Sequence, residues 1–146
     1  MNQDEKRAAI ERYLVAYNAF DIDGMMSVIH DDIHFKNVSS GEVNATASGA
    51  DEFRTSAEQS RKLFSFRQQT MTSFDMKDDQ VWIGIDYEGV LASDLPNGMK
   101  AGETLRLKGR TEFAFRDGKI YRIASQRHPP GQPKAPLPRR AILASR

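Results

Sequence analysis

The stretch ERYLVAYNAFDIDGMMSVIHDDIHFKN, residues 11–37, carries the pattern that decides the fold of this 146-residue chain. Apolar side chains recur at i, i+3, i+4 and i+7 from Ile10 to Tyr17, which predicts an amphipathic helix. Residues 21–24 interrupt that helix. Residues 25–32 then predict a short second helix that ends at the acidic pair Asp31 and Asp32. Residues 33–37 alternate between apolar and polar side chains, as in a strand.

The second half of the chain changes to a period of two, which indicates β-structure. Before that change, residues 39–48 are small and polar and predict a loop, and Ser48 is expected to cap a third helix. The apolar stripe of that helix runs from Phe53 to Phe64. Strands are predicted over residues 66–76, 80–93, 104–116 and 119–127. Helices followed by an antiparallel meander predict the α+β class, with three helices packed on one face of a strongly curved sheet.

Bulk composition limits the function classes. The chain has no cysteine, which excludes disulfides, thiolate metal sites and cysteine nucleophiles. A net charge of +1 provides no general attraction to nucleic acid. The N-terminus lacks the apolar core of a signal peptide, and no apolar run is long enough for a membrane span, so we expect a cytoplasmic protein. Residues 1–128 predict one domain, and the proline-rich basic residues 129–146 predict an extended arm.

The two faces of the predicted sheet differ in chemistry. One face of strand 80–93 carries its odd-numbered apolar side chains, which are Val81, Ile83, Ile85, Tyr87 and Leu91. Strand 104–116 separates in the same way, with Phe113 on the apolar side, so both apolar faces are expected beneath the helices. Trp82 lies on the opposite, charged face, where a large aromatic side chain indicates contact with a second chain. We therefore expect a homodimer formed through the sheet.

Several polar side chains fall on the apolar side, which is the pattern of a ligand pocket. Each of them taken singly is more often a satisfied core residue, but together they point into one concave space. The polar candidates are Tyr13, Tyr17, Asn37, Tyr87 and Thr111. The expected apolar wall consists of Phe35, Phe53, Ile85 and Phe113. Arg127 and Ser125 share the parity of Ile123 and are expected near the pocket mouth, where an arginine suits a carboxylate or an enolate.

Metal and nucleotide sites have little support in this sequence. His30 and His34 are four residues apart, but the acidic pair between them ends the predicted helix and His34 faces outward. The H-E-x-x-H pattern, the phosphate-binding glycine motifs and the nucleophile elbow are all missing. We expect neither a metal nor another cofactor.

Three segments resemble the nuclear transport factor 2-like superfamily, which includes the SnoaL-like polyketide cyclases and the ketosteroid isomerases. They are RYLVAYNAFDIDGMMSVIHDDIHFKN, VWIGIDYEG and TEFAFRDGKIYRI. The likeness runs from about residue 6 to residue 127, and its most specific parts are Asn18 to Gly24 and Phe113 to Ile120. The resemblance implies a cone of three helices and a bent sheet around an apolar pocket, usually dimeric through the sheet.

The resemblance also implies positions for isomerase chemistry, of which this chain keeps one. The phenol that donates to the developing oxyanion falls on Tyr13, the general-base aspartate on Asn37, and the protonated aspartic acid on Thr111. An amide has no titratable group near neutral pH. Loss of a general base removes a factor of about 10²–10⁴ in rate, so steroid-type isomerisation is not expected.

Three functions therefore remain open from the sequence. The first is a binder of a small apolar molecule that carries a carbonyl or hydroxyl group. The second is a cofactor-independent dehydratase, cyclase or isomerase acting on a polyketide- or steroid-like substrate, which needs a titratable pair inside the cone. The candidate acids Asp86, Glu88 and Glu112 fall on the outer face by parity, although a β-bulge would invert that assignment. The third is a non-catalytic homodimeric interaction module that uses Trp82 and the basic tail.

Overall fold

A computed structural model describes residues 1–130 of the chain. In that part, three helices pack on one six-stranded sheet: α1 (Gln3–Asn18), α2 (Ile22–Met26) and α3 (Ala50–Arg61). The strands are β1 (Ile29–Ser39), β2 (Glu42–Ser48), β3 (Phe64–Lys77), β4 (Gln80–Leu91), β5 (Thr104–Arg116) and β6 (Lys119–His128). Their order is β2-β1-β6-β5-β4-β3, and all neighbours are antiparallel except β1 and β6. The predicted α+β class with a curved, mostly antiparallel sheet is confirmed.

Helix α1 begins at a reciprocal cap that its sequence predicts. The Glu5 backbone N–H donates to Asn2 Oδ1 at 2.8 Å, and the Asn2 backbone N–H donates to Glu5 Oε1 at 2.9 Å. Its buried face includes Ile10, Tyr13 and Tyr17, as the spacing of apolar residues predicts. These two tyrosines therefore point from α1 toward the sheet.

The prediction of a loop over residues 39–48 is wrong. Strand β2 occupies Glu42–Ser48 and pairs antiparallel with β1 after a turn at Ser40 and Gly41. Only Ala47 of β2 is buried, because the strand lies at the edge of the sheet and most of its side chains face water. Val43, Ala45 and Ala47 do alternate with polar residues, but two of the three are alanine, which favours strands weakly, so the alternation gives only a weak strand signal.

The second helix lies earlier than predicted. Helix α2 starts at Ile22, and the Asp21 side chain caps it by accepting from the Gly24 backbone N–H at 2.9 Å. Residues 30–32, predicted as its end, belong to β1 instead. Residues 21–24 are rich in Asp and Gly, which predicts a break between helices. The Asp21 side chain instead caps a helix that starts within this segment.

Helix α3 also begins and ends differently from the prediction. Its N-cap is Gly49, at a φ of 92° that favours glycine, rather than Ser48. The Glu52 carboxylate accepts from the Ser48 backbone N–H at 2.9 Å and takes over part of the capping. The helix ends at Arg61, so Phe64 starts β3 and does not extend the helical stripe.

The parity of the central strands is confirmed. The inner face of the sheet, defined by Val81, Ile83, Ile85 and Tyr87, is at most 3 % exposed at these positions. The outer face carries cross-strand ion pairs, with Lys108 Nζ 2.8 Å from Asp86 Oδ1 and Arg106 Nη2 3.3 Å from Glu88 Oε2. We call the region bounded by α1, α3 and the inner face the cone.

The proline-rich arm falls almost entirely outside the described residues. Its four basic side chains, Lys134, Arg139, Arg140 and Arg146, belong to residues 131–146, so the prediction for the arm stays a prediction. Within residues 1–130, no helix has the length and apolar content that a bilayer crossing needs.

Candidate ligand-binding site

A row of polar side chains crosses the inner face on β1, β6 and β5. In the strand register, Ser125 lies between Asn37 on one side and Thr111 on the other. The Oγ atoms of Thr111 and Ser125 are buried and lie 3.0 Å apart, which is a hydrogen bond. This bond uses only one of the two O–H groups, so both the hydroxyl pair and Asn37 keep capacity for a ligand.

Asn37 has one satisfied and one unsatisfied end. Its Nδ2 donates to Asn44 Oδ1 of β2 at 2.8 Å, a bond that exists because residues 42–48 form a strand. Its Oδ1 is buried and accepts no hydrogen bond from the described residues. The amide thus presents an acceptor toward the inside of the cone.

Arg127 reaches the inside of the cone because its neighbour in the ladder is a glycine. Gly109 pairs with Arg127, and a Cβ at position 109 would lie 3.1 Å from Arg127 Cγ and would clash with the Gln126 carbonyl oxygen. The Arg127 side chain passes over this gap to β4, where its guanidinium carbon lies 4.7 Å from the Tyr87 ring centroid. Arg127 Nε is buried without a hydrogen-bond partner among the described residues.

Two tyrosine hydroxyls meet beside this arginine. Tyr17 from α1 and Tyr87 from β4, here called the tyrosine pair, have their hydroxyl oxygens 3.1 Å apart. Their rings meet edge to face at 6.3 Å. The Tyr13 ring lies 6.4 Å from that of Tyr17, one helical turn away. Helix α1 therefore delivers two phenols to the inner face of the sheet.

Both Tyr13 and Tyr87 are held in the protonated form. Burial raises the pKa of each phenol well above its ordinary value, and the neighbouring Tyr17 raises it further. Arg127 and Arg67 lower the pKa of both phenols, but by less than burial raises it. These hydroxyls can donate hydrogen bonds near neutral pH and cannot act as bases.

Arg67 is a site residue that sequence reasoning missed. It is 1 % exposed, and its Nε donates to the Tyr17 carbonyl oxygen at 3.0 Å. Its guanidinium carbon lies 3.7 Å from the Tyr17 ring centroid and 4.7 Å from that of Phe20. Both Nη atoms are buried without a partner among the described residues. Arg67 lies on the same face of β3 as Gln69, and Gln69 pairs with Tyr87 of the inner face. Once this pairing is known, the alternation of β3 therefore predicts that Arg67 faces inward.

The aromatic side chains predicted for the apolar wall contact one another or Tyr13. Phe35 and Phe53 meet edge to face at 5.4 Å, and Phe53 lies 6.5 Å from the Tyr13 ring. The Phe113 ring lies 6.2 Å from Tyr13, also edge to face. Ile85 is 2 % exposed on the same face. The structure therefore brings all the predicted site residues to the inner side of the sheet, and their role in binding stays a prediction.

A model of the SnoaL-like domain matches residues 10–123, which is most of the chain. The chain belongs to the SnoaL-like family. No curated protein matches it.

Solved structures of similar fold include several proteins of this family type. A proposed polyketide cyclase from Xanthomonas campestris pv. campestris is 19 % identical, with a TM-score of 0.69 over 86 % of this chain and 92 % of that one. AclR, a proposed hydroxylase from Streptomyces galilaeus, is 18 % identical, with a TM-score of 0.67 over 85 % and 89 %. TerC, co-crystallised with polyporic acid, is 20 % identical, with a TM-score of 0.65 over 83 % and 89 %. At such identities the likeness shows the fold alone.

The acidic side chains of this SnoaL-like domain lie away from the tyrosine pair. Glu112 is the buried carboxylate of residues 1–130, and it pairs with Arg122 at 3.4 Å. Asp86 and Glu88 take part in the ion pairs of the outer face. The polar lining that the described residues give the cone therefore consists of phenols, hydroxyls, amides and arginines.

His30 and His34, two of the three histidines, pack elsewhere. The rings of His30 and His34 lie 5.5 Å and 5.3 Å from that of Tyr121, and His30 Nε2 lies 3.2 Å from Asp117 Oδ2. Across the part of the chain that the structure describes, no three metal-ligating side chains come together.

Proposed function

We propose that this SnoaL-like domain binds a small apolar molecule bearing a carbonyl or hydroxyl group inside the cone, without ketosteroid isomerase activity. The observation that carries the proposal is a pair of buried polar atoms without partners, Arg127 Nε and Asn37 Oδ1. Leaving such a group unsatisfied costs about 1–3 kcal/mol. A ligand carbonyl that accepts from Arg127 and a hydroxyl that donates to Asn37 would recover both costs.

The surroundings of these atoms support an apolar ligand body. Phe35, Phe53 and Phe113 present ring edges and faces around Tyr13. Thr111 and Ser125 share one hydrogen bond, which leaves one O–H of the two to donate to the polar group of the ligand. TerC, a protein of the same fold, was crystallised with an organic acid, polyporic acid, which is consistent with a ligand of this kind here.

Catalysis by a dehydratase, cyclase or isomerase mechanism is the second candidate. AclR and the Xanthomonas protein have proposed enzymatic functions on this fold. A protonated Tyr13 would suit hydrogen bonding to a developing oxyanion, as such chemistry requires. Removal of a substrate proton needs a base, and the groups that line the cone within residues 1–130 are phenols, amides and arginines. Binding therefore ranks first.

We also propose that the chain forms a homodimer through the outer face of the sheet. Trp82 lies partly buried there beside Arg110, whose guanidinium carbon is 4.7 Å from the indole ring. An aromatic side chain amid charged strands is suited to the centre of an interface. Light scattering should give a dimer mass that falls to a monomer mass in Trp82→Asp, and a monomeric wild-type chain would contradict the proposal.

Ligand screening tests the binding proposal directly. A panel of steroid-like and polyketide-like ketones and phenols, including 2-acetylnaphthalene and 2-naphthol, is added to the full chain while its Tm is recorded. We expect at least one compound to raise the Tm, and Asn37→Leu and Arg127→Met to lose the shift. Lys108→Met on the outer face is the matched control that keeps the shift. A panel in which no compound stabilises the protein would overturn the proposal.

A further inference from the structure

We infer that the ligand of this cone is an organic anion, a carboxylate or an ionised enol on an apolar body, whose charge is balanced by Arg67 and Arg127. This inference rests on the proposed function and adds the charge class of the ligand to it. It begins from an imbalance on the inner face, where the buried Arg67 and the partly buried Arg127 form no ion pair with a carboxylate among residues 1–130.

Arg67 is a buried cation that its surroundings satisfy only in part. Its Nε uses one N–H on the Tyr17 carbonyl oxygen at the C-terminal end of α1, where a positive charge is favourable. The rings of Tyr17 and Phe20 lie 3.7 Å and 4.7 Å from the guanidinium carbon. A ring over the face of a guanidinium does not engage its N–H groups, which lie in the guanidinium plane. The four N–H bonds of Nη1 and Nη2 stay unused.

Arginine cannot escape this cost by losing its proton, because its pKa lies too high. The effective penalty for burying an unpaired ion is several kcal/mol, and cation–π contacts return about 0.5–2 kcal/mol each. The remaining penalty is relieved when an oxyanion reaches the Nη edge. A buried arginine with its planar donor edge free is therefore suited to a delocalised oxyanion.

Arg127 repeats the arrangement on the other side of the tyrosine pair. Its guanidinium carbon lies 4.7 Å from the Tyr87 ring, and its Nε is buried and unpaired. Arg67 lies over the ring of Tyr17, whose hydroxyl meets that of Tyr87 at 3.1 Å. The two cations thus bracket a pair of hydroxyl groups in which one phenol donates to the other. The second phenol keeps its O–H free to donate to a ligand.

On the outer face, basic side chains that lie near carboxylates form ion pairs with them. Arg106, Lys108 and Arg122 each have a carboxylate within 3.4 Å. The chain has 20 acidic residues for its 21 lysines and arginines, so a shortage of acids does not explain unpaired cations inside the cone. The tyrosine pair keeps one free O–H, and Arg67 and Arg127 add two positive charges beside it, so the site favours an anion over a neutral carbonyl compound.

Matched pairs of probes separate charge from shape. 2-Naphthoate and 2-acetylnaphthalene differ by a carboxylate oxygen against a methyl group, and 2-hydroxy-1,4-naphthoquinone and its methyl ether differ by an ionisable enol. Titration calorimetry on the full chain at pH 7 gives the four dissociation constants. We expect at least one anion to bind about tenfold or more tightly than its neutral partner, since charge-assisted hydrogen bonds are about twice as strong as neutral ones.

Three variants locate the preference. Arg67→Met and Arg127→Met should each reduce the anion preference to about twofold or less, because each removes one of the two cations. Arg116→Met is the control, since the exposed Arg116 also lies on an aromatic ring, with its guanidinium carbon 3.9 Å from the Tyr121 centroid, and it should keep the wild-type ratio. The Tm of each ligand-free variant reports whether it folds, and the wild-type ratio tests the charge class without any variant.

The outcomes distinguish this inference from the proposed function. Equal binding of both members of each pair would overturn the anion class and leave the proposed function standing. No binding of any probe, together with a negative screen, would overturn the proposed function and the inference with it. A preference that persists in both inner-face variants would overturn the assignment to Arg67 and Arg127. A preference within only one pair identifies the anion as a carboxylate or as an enol.

Discussion

The two faces of β4 and β5 are built from alternate residues of the same strands, yet they treat charge in opposite ways. On the outer face, Lys108 and Asp86 lie 2.8 Å apart with about half of each side chain exposed. On the inner face, Arg127 lies over Tyr87 with its Nε buried and unpaired. Water supports the outer charges whether or not they pair. Arg67 and the Nε of Arg127 are shielded from water, so an unpaired group there indicates capacity for a ligand.

The two faces should differ most in how much free energy of unfolding is lost when an aromatic side chain is truncated to alanine. Phe113→Ala removes a ring that is 1 % exposed and contacts Tyr13, and it should lower the free energy of unfolding by about 3–5 kcal/mol. Phe66→Ala, at a ring that is 44 % exposed, is the control and should cost far less. Urea denaturation measures both. Equal costs would contradict the assignment of the inner face as the core.

Alkaline pH should act through the inner phenols. Because burial raises the pKa of Tyr13 and Tyr87, both stay protonated in the folded state at a pH where the unfolded chain ionises, above about 10. Unfolding then releases protons, so the stability that these phenols contribute is complete below pH 10 and is lost as the pH rises toward their folded pKa values. We expect a slope of about −1.4 kcal/mol per pH unit for each tyrosine.

Denaturation curves between pH 8 and pH 11 measure this slope. The variant Tyr13→Phe, which leaves the tyrosine pair intact, should reduce it by one tyrosine's share. A wild-type stability that stays constant through this range would show that these phenols are not desolvated in the folded protein.

Replacing a glycine by alanine should lower the free energy of unfolding more on the inner face than on the outer face, by an intermediate amount. Gly109→Ala on the inner face places a Cβ against the Gln126 carbonyl oxygen and 3.1 Å from Arg127 Cγ, so β5 or β6 must shift. We expect a loss of about 1–3 kcal/mol and a displaced Arg127. In Gly84→Ala on the outer face, the nearest atoms are the hydroxyl oxygens of Thr72 and Ser73, which can rotate, so this control should cost less. Equal unfolding midpoints for the two variants would contradict the close approach at Gly109.

The smallest effect should come from the outer ion pairs. Lys108→Met removes the 2.8 Å contact with Asp86, and exposed pairs contribute about 0–1 kcal/mol. Raising the salt concentration should erase the difference between variant and wild type, because exposed charges are screened. A loss of several kcal/mol that persists at high salt would show that this pair is shielded from water and would contradict the prediction.

Local patterns predicted most of the fold and part of the candidate site. Helix α1 and the inner faces of β4 and β5 follow from strong apolar periods, and the predicted wall of Phe35, Phe53 and Phe113 assembles around Tyr13. Strand β2 escaped prediction because its alternating apolar positions, Val43, Ala45 and Ala47, are mostly small and give a weak strand signal. Arg67 escaped because an arginine in a weakly alternating strand is normally solvated, and nothing local marks it as buried.

The amino-acid sequence by itself determined which elements form and which side chains of β4 and β5 face inward, because helical and strand periods are properties of the local backbone. It also determined that position 37 carries an amide in place of a general base. Only the tertiary structure decided that Arg67 and Arg127 meet the tyrosine pair without a counterion among the described residues. That meeting depends on strand register, on the gap at Gly109 and on the packing of α1, which join distant parts of the chain.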